Sequence, residues 1–151
     1  MHSAIAIFSH RRTRGRSNTN HEQLYITGAN AVTTVLVVED SLTDTEVLTS
    51  YLRQFGLTVM SVNSGEEAEL KMRLEKPDLV ILDVILPGQS GFEFCHYLKT
   101  NEDTKKIPVV ICSSKGTKVD MLWGSMLGAN AYLTKPVDQQ KLMQIVQQLI
   151  Y

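Results

Sequence analysis

Four short apolar runs in this 151-residue sequence lead into residues able to do chemistry. The run from Thr34 ends in the acidic pair Glu39-Asp40, and four apolar residues ending at Leu82 lead into Asp83. The run from Val109 ends in Ser113, and the run from Ala131 leads into Lys135-Pro136. If these ends meet, three carboxylates share one small patch. Two unit charges about 4 Å apart repel by roughly 4 kcal/mol at an effective dielectric of 20, so such a patch calls for a cation. One lysine cannot neutralise three acids, and hard carboxylate oxygens with room for water suit Mg²⁺. The set is then equipped for phosphoryl transfer: a carboxylate attacks in line while metal and ammonium offset charge on the transferred oxygens. Asp83 is the natural nucleophile, because it would emerge from the centre of the sheet onto a loop. Taken singly, each residue has an ordinary role, as helix cap, turn former, strand-end hydroxyl or surface charge. Their joint placement at four strand ends carries the reading.

The elements that must position them are legible from residue 34 onward. Strands are predicted over Thr34 to Glu39, Thr58 to Val62, Asp78 to Leu82, Val109 to Ser113 and Ala131 to Thr134, each rich in Val, Ile or Leu and bounded by turn or charged residues. Amphipathic helical stretches lie between them. Val47, Leu48, Tyr51, Leu52 and Phe55 recur at helical spacing up to Gly56. Ser64 and Glu67 stand in capping-box spacing at the head of a second helix reaching Glu75, and a short third runs near Gly91 to Lys99. Val119, Leu122, Trp123 and Met126 form a fourth apolar stripe, with Trp123 equally readable as core or interface. Leu142, Ile145, Val146, Leu149 and Ile150 form a fifth. Alternation of this kind predicts a doubly wound α/β domain: a five-stranded parallel sheet with five helices covering both faces. Ligands of such sheets sit at the C-terminal strand ends, where the strand order reverses.

Composition narrows the classes. Hydrophobic residues make up 43%, enough for one real core, and the formal net charge is −1. That balance hides two unlike parts. Residues 1–31 carry Arg11, Arg12, Arg14 and Arg16 against Glu22, whereas residues 32–151 carry nine Lys and two Arg against fifteen acids. The first part, with no sustained period, reads as a disordered basic extension, and the second as the domain. Val32 stands where Met would open a compact start, so a second reading has translation beginning there. Cys95 and Cys112 show neither CxxC spacing nor clustered His, which supports no disulfide framework and no zinc site. No apolar run approaches the roughly 20 residues of a membrane span, and the leader lacks signal-peptide order. The expectation is a cytoplasmic protein that inserts in no membrane and binds no nucleic acid.

The motifs resemble one family, the receiver domains of bacterial two-component response regulators. Val-Leu-Val-Val-Glu39-Asp40-Ser is similar to its acidic first strand, and Leu-Val-Ile-Leu-Asp83-Val-Ile-Leu-Pro87-Gly-Gln-Ser-Gly91 to its phosphoacceptor strand and loop. Ile107-Pro108-Val-Val-Ile-Cys-Ser113-Ser-Lys resembles the strand with the switch hydroxyl, and Gly128-Ala-Asn-Ala-Tyr132-Leu-Thr-Lys135-Pro136 the last strand. The resemblance implies a flavodoxin-like (CheY-like) fold of strand order 2-1-3-4-5. It also implies that Asp83 takes a phosphoryl group from a histidine kinase, CheA-like or hybrid. Mg²⁺ would be held by Asp40, Asp83 and the Ile85 backbone carbonyl, and by Glu39 through water. Lys135 would contact the phosphoryl oxygens, the Lys135-Pro136 peptide would be cis, and Ser113 and Tyr132 would switch the face of helix 4, strand 5 and helix 5 toward a target protein.

Within the family, Asp120 to Ala129 followed by Tyr132 to Asp138 is most similar to stand-alone PilH-type regulators of twitching motility and phototaxis. The sequence ends with the fifth helix, so the expectation is a regulator without an output domain, acting by binding in motility or chemosensory signalling. Such a protein is no enzyme beyond its own phosphorylation and dephosphorylation. The alternative is a relay intermediate passing the group to a histidine phosphotransfer protein. A small-molecule phosphotransferase is disfavoured, since neither GxxxxGK[ST] nor GxGxxG is present.

Overall fold

The computed structural model describes residues 4–8 and 33–151. In chain order the elements are β1 (Ile5–Ile7), β2 (Thr34–Val38), α1 (Leu42–Gln54), β3 (Thr58–Val62), α2 (Gly65–Leu74), β4 (Leu79–Leu82), α3 (Gly91–Thr100), β5 (Val109–Ser113), α4 (Lys118–Met126), β6 (Ala131–Thr134) and α5 (Gln139–Ile150). β2 to β6 pair in parallel in the order β6-β5-β4-β2-β3, which is the doubly wound order expected.

Why these segments form these elements follows from burial and capping. Every residue of β2, β4, β5 and β6 is buried, as continuous apolar runs require of strands covered on both faces. One apolar layer joins β-strand residues such as Val37 and Ile81 to Leu48 and Leu52 of α1 and Leu142 and Val146 of α5. The other joins Leu36 and Leu82 to Met72 of α2 and Phe94 and Leu98 of α3. Each helix begins on a side chain that accepts a bond from a first-turn amide: Ser41, Ser64, Ser90, Thr117 and Asp138. At Ser64 the expected reciprocal bond shifts by one residue, because Glu67 accepts from the Asn63 amide at 2.9 Å. The closed capping box is instead Thr117 with Asp120. Gly56, at φ +78°, follows α1 as its stop.

One expectation is corrected. The leader was expected to be disordered throughout residues 1–31, yet Ile5–Ile7 forms a sixth strand, antiparallel to β6. The short apolar run Ala4 to Phe8 meets an edge whose backbone groups it can satisfy. The rest of the leader, including Arg11 to Arg16, and Val32 lie outside the described residues. The structure also decides the reading of α4 that its sequence leaves open. Its stripe of Val119, Leu122, Trp123 and Met126 is exposed, Trp123 by 50%, so Trp123 is not core. Helical period marks a face without saying which way it points. Here α4 turns Gly124 onto the Tyr132 ring and tucks Met121 against the core.

Candidate functional site

The C-terminal ends of β2 and β4 bring Glu39 and Asp83 together around the ammonium of Lys135, the residue that follows β6. Lys135 Nζ lies 2.7 Å from Glu39 Oε2, 2.8 Å from Asp44 Oδ2 and 2.9 Å from Asp83 Oδ2. Glu39 and Asp83 are 3% and 6% exposed, so these are charges held largely out of water. Short backbone links fix each group. Glu39 Oε1 accepts from the Ser41 amide at 3.0 Å, and Asp83 Oδ1 accepts from the Ile85 amide at 3.2 Å. The Lys135 amide donates to the Ser113 carbonyl at 3.0 Å, seating the lysine beside β5. The Lys135-Pro136 peptide is cis, as expected.

Asp44 is the residue the sequence reading missed. It sits in the first turn of α1, where an acid is ordinarily read as complementing the helix dipole. The available signal was its place one turn beyond the acidic pair, on the helix entered directly from β2. Asp40, by contrast, is exposed and takes no part in the ammonium cluster. Ser113 is fully buried, its hydroxyl accepting from the Lys115 amide at 3.2 Å. Tyr132 is fully buried with its hydroxyl donating to the Lys115 carbonyl, so the ring already lies inward.

The charges do not balance. Three carboxylates against one ammonium leave a local excess of two negative charges before Asp40 is counted. Burial pushes the Glu39 carboxyl above its ordinary value of 4.5, against the opposing bonds from Lys135 and the Ser41 amide. Burial likewise opposes the charged form of Lys135, but its bonds to Asp44, Glu39 and Asp83 outweigh that and hold its pKa above 10.5. The two shifts pull in opposite directions on one pair: the lysine stays charged throughout, and the cost of burial falls on the glutamate. Among the described residues no three His, Cys, Asp or Glu side chains converge in metal-binding geometry; the ammonium stands where the acids meet. The donor chemistry nevertheless fits a hard cation, being all oxygen and short of positive charge. Burial raises the thiols of Cys95 and Cys112 to about 12, which keeps both as protonated, unreactive core groups at neutral pH.

A stability prediction follows. Because the folded protein binds the Glu39 proton more tightly than the unfolded chain does, wild type loses stability as pH rises from 4.5 through the raised folded-state value. Glu39→Gln removes that loss. In chelator-treated buffer its urea midpoint should exceed that of wild type at pH 7 and converge with it toward pH 4. A lower midpoint for the variant at pH 7 would contradict the unbalanced cluster.

A buried carboxylate, a fixed ammonium and a buried hydroxyl at the ends of adjacent parallel strands define a receiver site, and the chain belongs to the response regulator receiver family, whose description matches residues 35–147. Its sequence is 38% identical over 112 residues to Protein PilH of Pseudomonas aeruginosa, covering 74% of this chain and 93% of that one. It spans about half the length of several transcriptional regulators that it also matches. Among solved structures, a putative response regulator from Chloroflexus aurantiacus superposes with a TM-score of 0.76 at 34% identity, over 79% of this chain and 98% of the other. The receiver domain of the sensor histidine kinase PA1611 from Pseudomonas aeruginosa, described with a magnesium ion in its active-site cleft, superposes with a TM-score of 0.73 at 26% identity, over 80% and 98%. Among the described residues no helix is long and apolar enough to cross a membrane.

Proposed function

We propose that Asp83 accepts a phosphoryl group from the phosphohistidine of a histidine kinase, CheA-like or hybrid, and that the modified domain changes its affinity for a target protein in motility or chemosensory signalling. The observation that carries this reading is the contact of Lys135 Nζ with Asp83 Oδ2 at 2.9 Å. It puts a fixed positive charge where the oxygens of an incoming phosphoryl group must lie. One Asp83 oxygen attacks phosphorus, the bond from phosphorus to the histidine nitrogen breaks, and that nitrogen keeps the electron pair. Lys135 offsets charge on the transferred oxygens. The buried Ser113 hydroxyl, at the end of the neighbouring strand, bonds the new phosphate. Mg²⁺, when bound by Asp40, Asp83, the Ile85 carbonyl and Glu39 through water, supplies further charge neutralisation. On this reading the protein catalyses only its own phosphorylation and dephosphorylation, in the cytoplasm. The similarity to PilH supports the motility assignment. The exposed apolar residues of α4 support a docking face formed by α4, β6 and α5.

Incubation with acetyl phosphate and Mg²⁺, followed by intact mass, tests the reading. Wild type should gain one phosphoryl group and Asp83→Asn none. An equal gain in both, or no gain in wild type at any Mg²⁺ concentration, would sink it.

A further inference from the structure

β1 lies on the one side of β6 that the parallel sheet leaves open. Its register sets Ile5 against Leu133, Ala6 against Tyr132 and Ile7 against Ala131. Backbone bonds close both ends: the Thr134 amide donates to the Ala4 carbonyl at 3.0 Å, and the Phe8 amide to the Asn130 carbonyl at 2.9 Å. The Ala4 amide also donates to Thr134 Oγ1 at 2.7 Å. Antiparallel alternation makes Ala6 with Tyr132 the bonded pair between them. The segment straddles the sheet, with Ile5 against the layer of α1 and α5, and Ala6 and Phe8 against the layer that holds Tyr132.

One residue that grips this segment, Thr134, leads to the acidic site. Thr134 is in register with Ser113, and Lys135 follows it. From β1 to β2 the sheet measures four strand spacings, about 19 Å at about 4.8 Å each. The chain from residue 9 to residue 32 can extend about 80 Å at about 3.3 Å per residue, so the segment can dock or leave without straining the domain.

We propose that the outer edge of β6 is a strand-accepting surface, that Ala4 to Phe8 is its tethered occupant, and that occupancy is linked to the state of Asp83 through Thr134 and Lys135. The docking stands on the backbone pairing; the linkage rests on the phosphoacceptor reading. A target that uses the β6 edge must displace this segment, which makes the leader an inhibitory cover. Linkage is reciprocal, so modification of Asp83 and release of the strand shift each other by the same factor.

Amide hydrogen exchange on the full chain tests both parts. Alternation points the Tyr132 and Thr134 amides at β1 and the Leu133 amide at β5. Ala6→Pro removes the central donor, whereas Ala6→Ser keeps it. The expected result is exchange faster by about tenfold or more at Tyr132 and Thr134 in Ala6→Pro alone, with Leu133 and Leu82 unchanged as evidence that the domain stays folded. Equal rates in wild type and Ala6→Pro would overturn the docking. For the linkage, beryllofluoride with Mg²⁺ should change exchange at Tyr132 and Thr134 severalfold in wild type and not in Asp83→Asn. No change in wild type that takes up a phosphoryl group from acetyl phosphate would overturn the linkage alone. Failure of that uptake overturns the phosphoacceptor reading and the linkage with it, while the Ala6→Pro comparison still decides the docking.

Discussion

Lys135→Ala should cost the folded domain about 2 to 3 kcal/mol in metal-free buffer at pH 7, lowering Tm by about 10 °C. The ammonium is the shared partner of Glu39, Asp44 and Asp83 at 2.7 to 2.9 Å, and two of those acids are buried. Its removal leaves three carboxylates facing one another. The cost sits below the range for fully buried pairs because Asp44 is 40% exposed and partly screened by water. The pH dependence carries a definite sign. In wild type the lysine pKa is held above 10.5, so its contribution is complete at neutral pH and lost only on strong alkalinisation. In the variant the deficit should shrink on acidification as Glu39, whose carboxyl burial already holds above its ordinary value, takes up a proton. Phosphoryl uptake should fall by about 100-fold or more, as loss of a fixed positive charge at a developing oxyanion implies. Lys135→Arg should recover much of the stability but little of the uptake, since a planar fork does not reproduce a point ammonium. Urea melts across pH, paired with uptake from acetyl phosphate, check both halves. A variant as stable as wild type at pH 7 would contradict the cluster described here.

The second large effect needs no charge at all. A Cβ at Gly91 would stand 1.8 Å from the Asp83 carbonyl oxygen and 2.7 Å from the Val84 Cα, all of it backbone. The start of α3 therefore lies directly against the loop that leaves β4, tied there by the Gly91 amide donating to the Val84 carbonyl at 2.9 Å. Gly91→Ala should destabilise by about 3 kcal/mol or more, because no side-chain rotation relieves the clash. What remains folded should also take up phosphoryl groups poorly, since the shift falls on Asp83 itself. Gly65→Ala is the contrast: its Cβ meets the Gln89 side chain at 3.0 Å and the Phe94 ring at 3.3 Å, groups with room to give. A smaller loss at Gly91 than at Gly65, read from urea midpoints, would contradict this account of the loop.

These residues also show how far sequence reasoning reaches. Four of the five parallel strands were legible because burial on both faces demands unbroken apolar runs, and β3, only partly buried, was legible from its valines and flanking turn residues; three of the five match the observed bounds residue for residue. Glu39, Asp83, Ser113 and Lys135 were legible because a charged or polar residue closing such a run must sit at the sheet's end. Asp44 was not, since its position one turn into α1 has a sufficient local explanation. Ile5–Ile7 was not, because a three-residue strand has no period to detect and gains its partner only from an edge more than 120 residues away in sequence. The α4 stripe was legible but its direction was not, since Gly124, which packs on Tyr132, carries no hydrophobic signal of its own.

On the proposed reading the carboxylate at the end of β4, held by Lys135, is the group that becomes phosphorylated. The most direct measurement is site mapping: the protein is treated with acetyl phosphate and Mg²⁺, quenched with hydroxylamine and analysed by peptide mass spectrometry. An acyl phosphate reacts with hydroxylamine to leave a hydroxamate on the carboxyl that carried it. The expected result is that hydroxamate on Asp83 alone, with Glu39, Asp40 and Asp44 unmodified. A hydroxamate on any of those three in place of Asp83, or a phosphate on Ser113 that survives hydroxylamine, would contradict it.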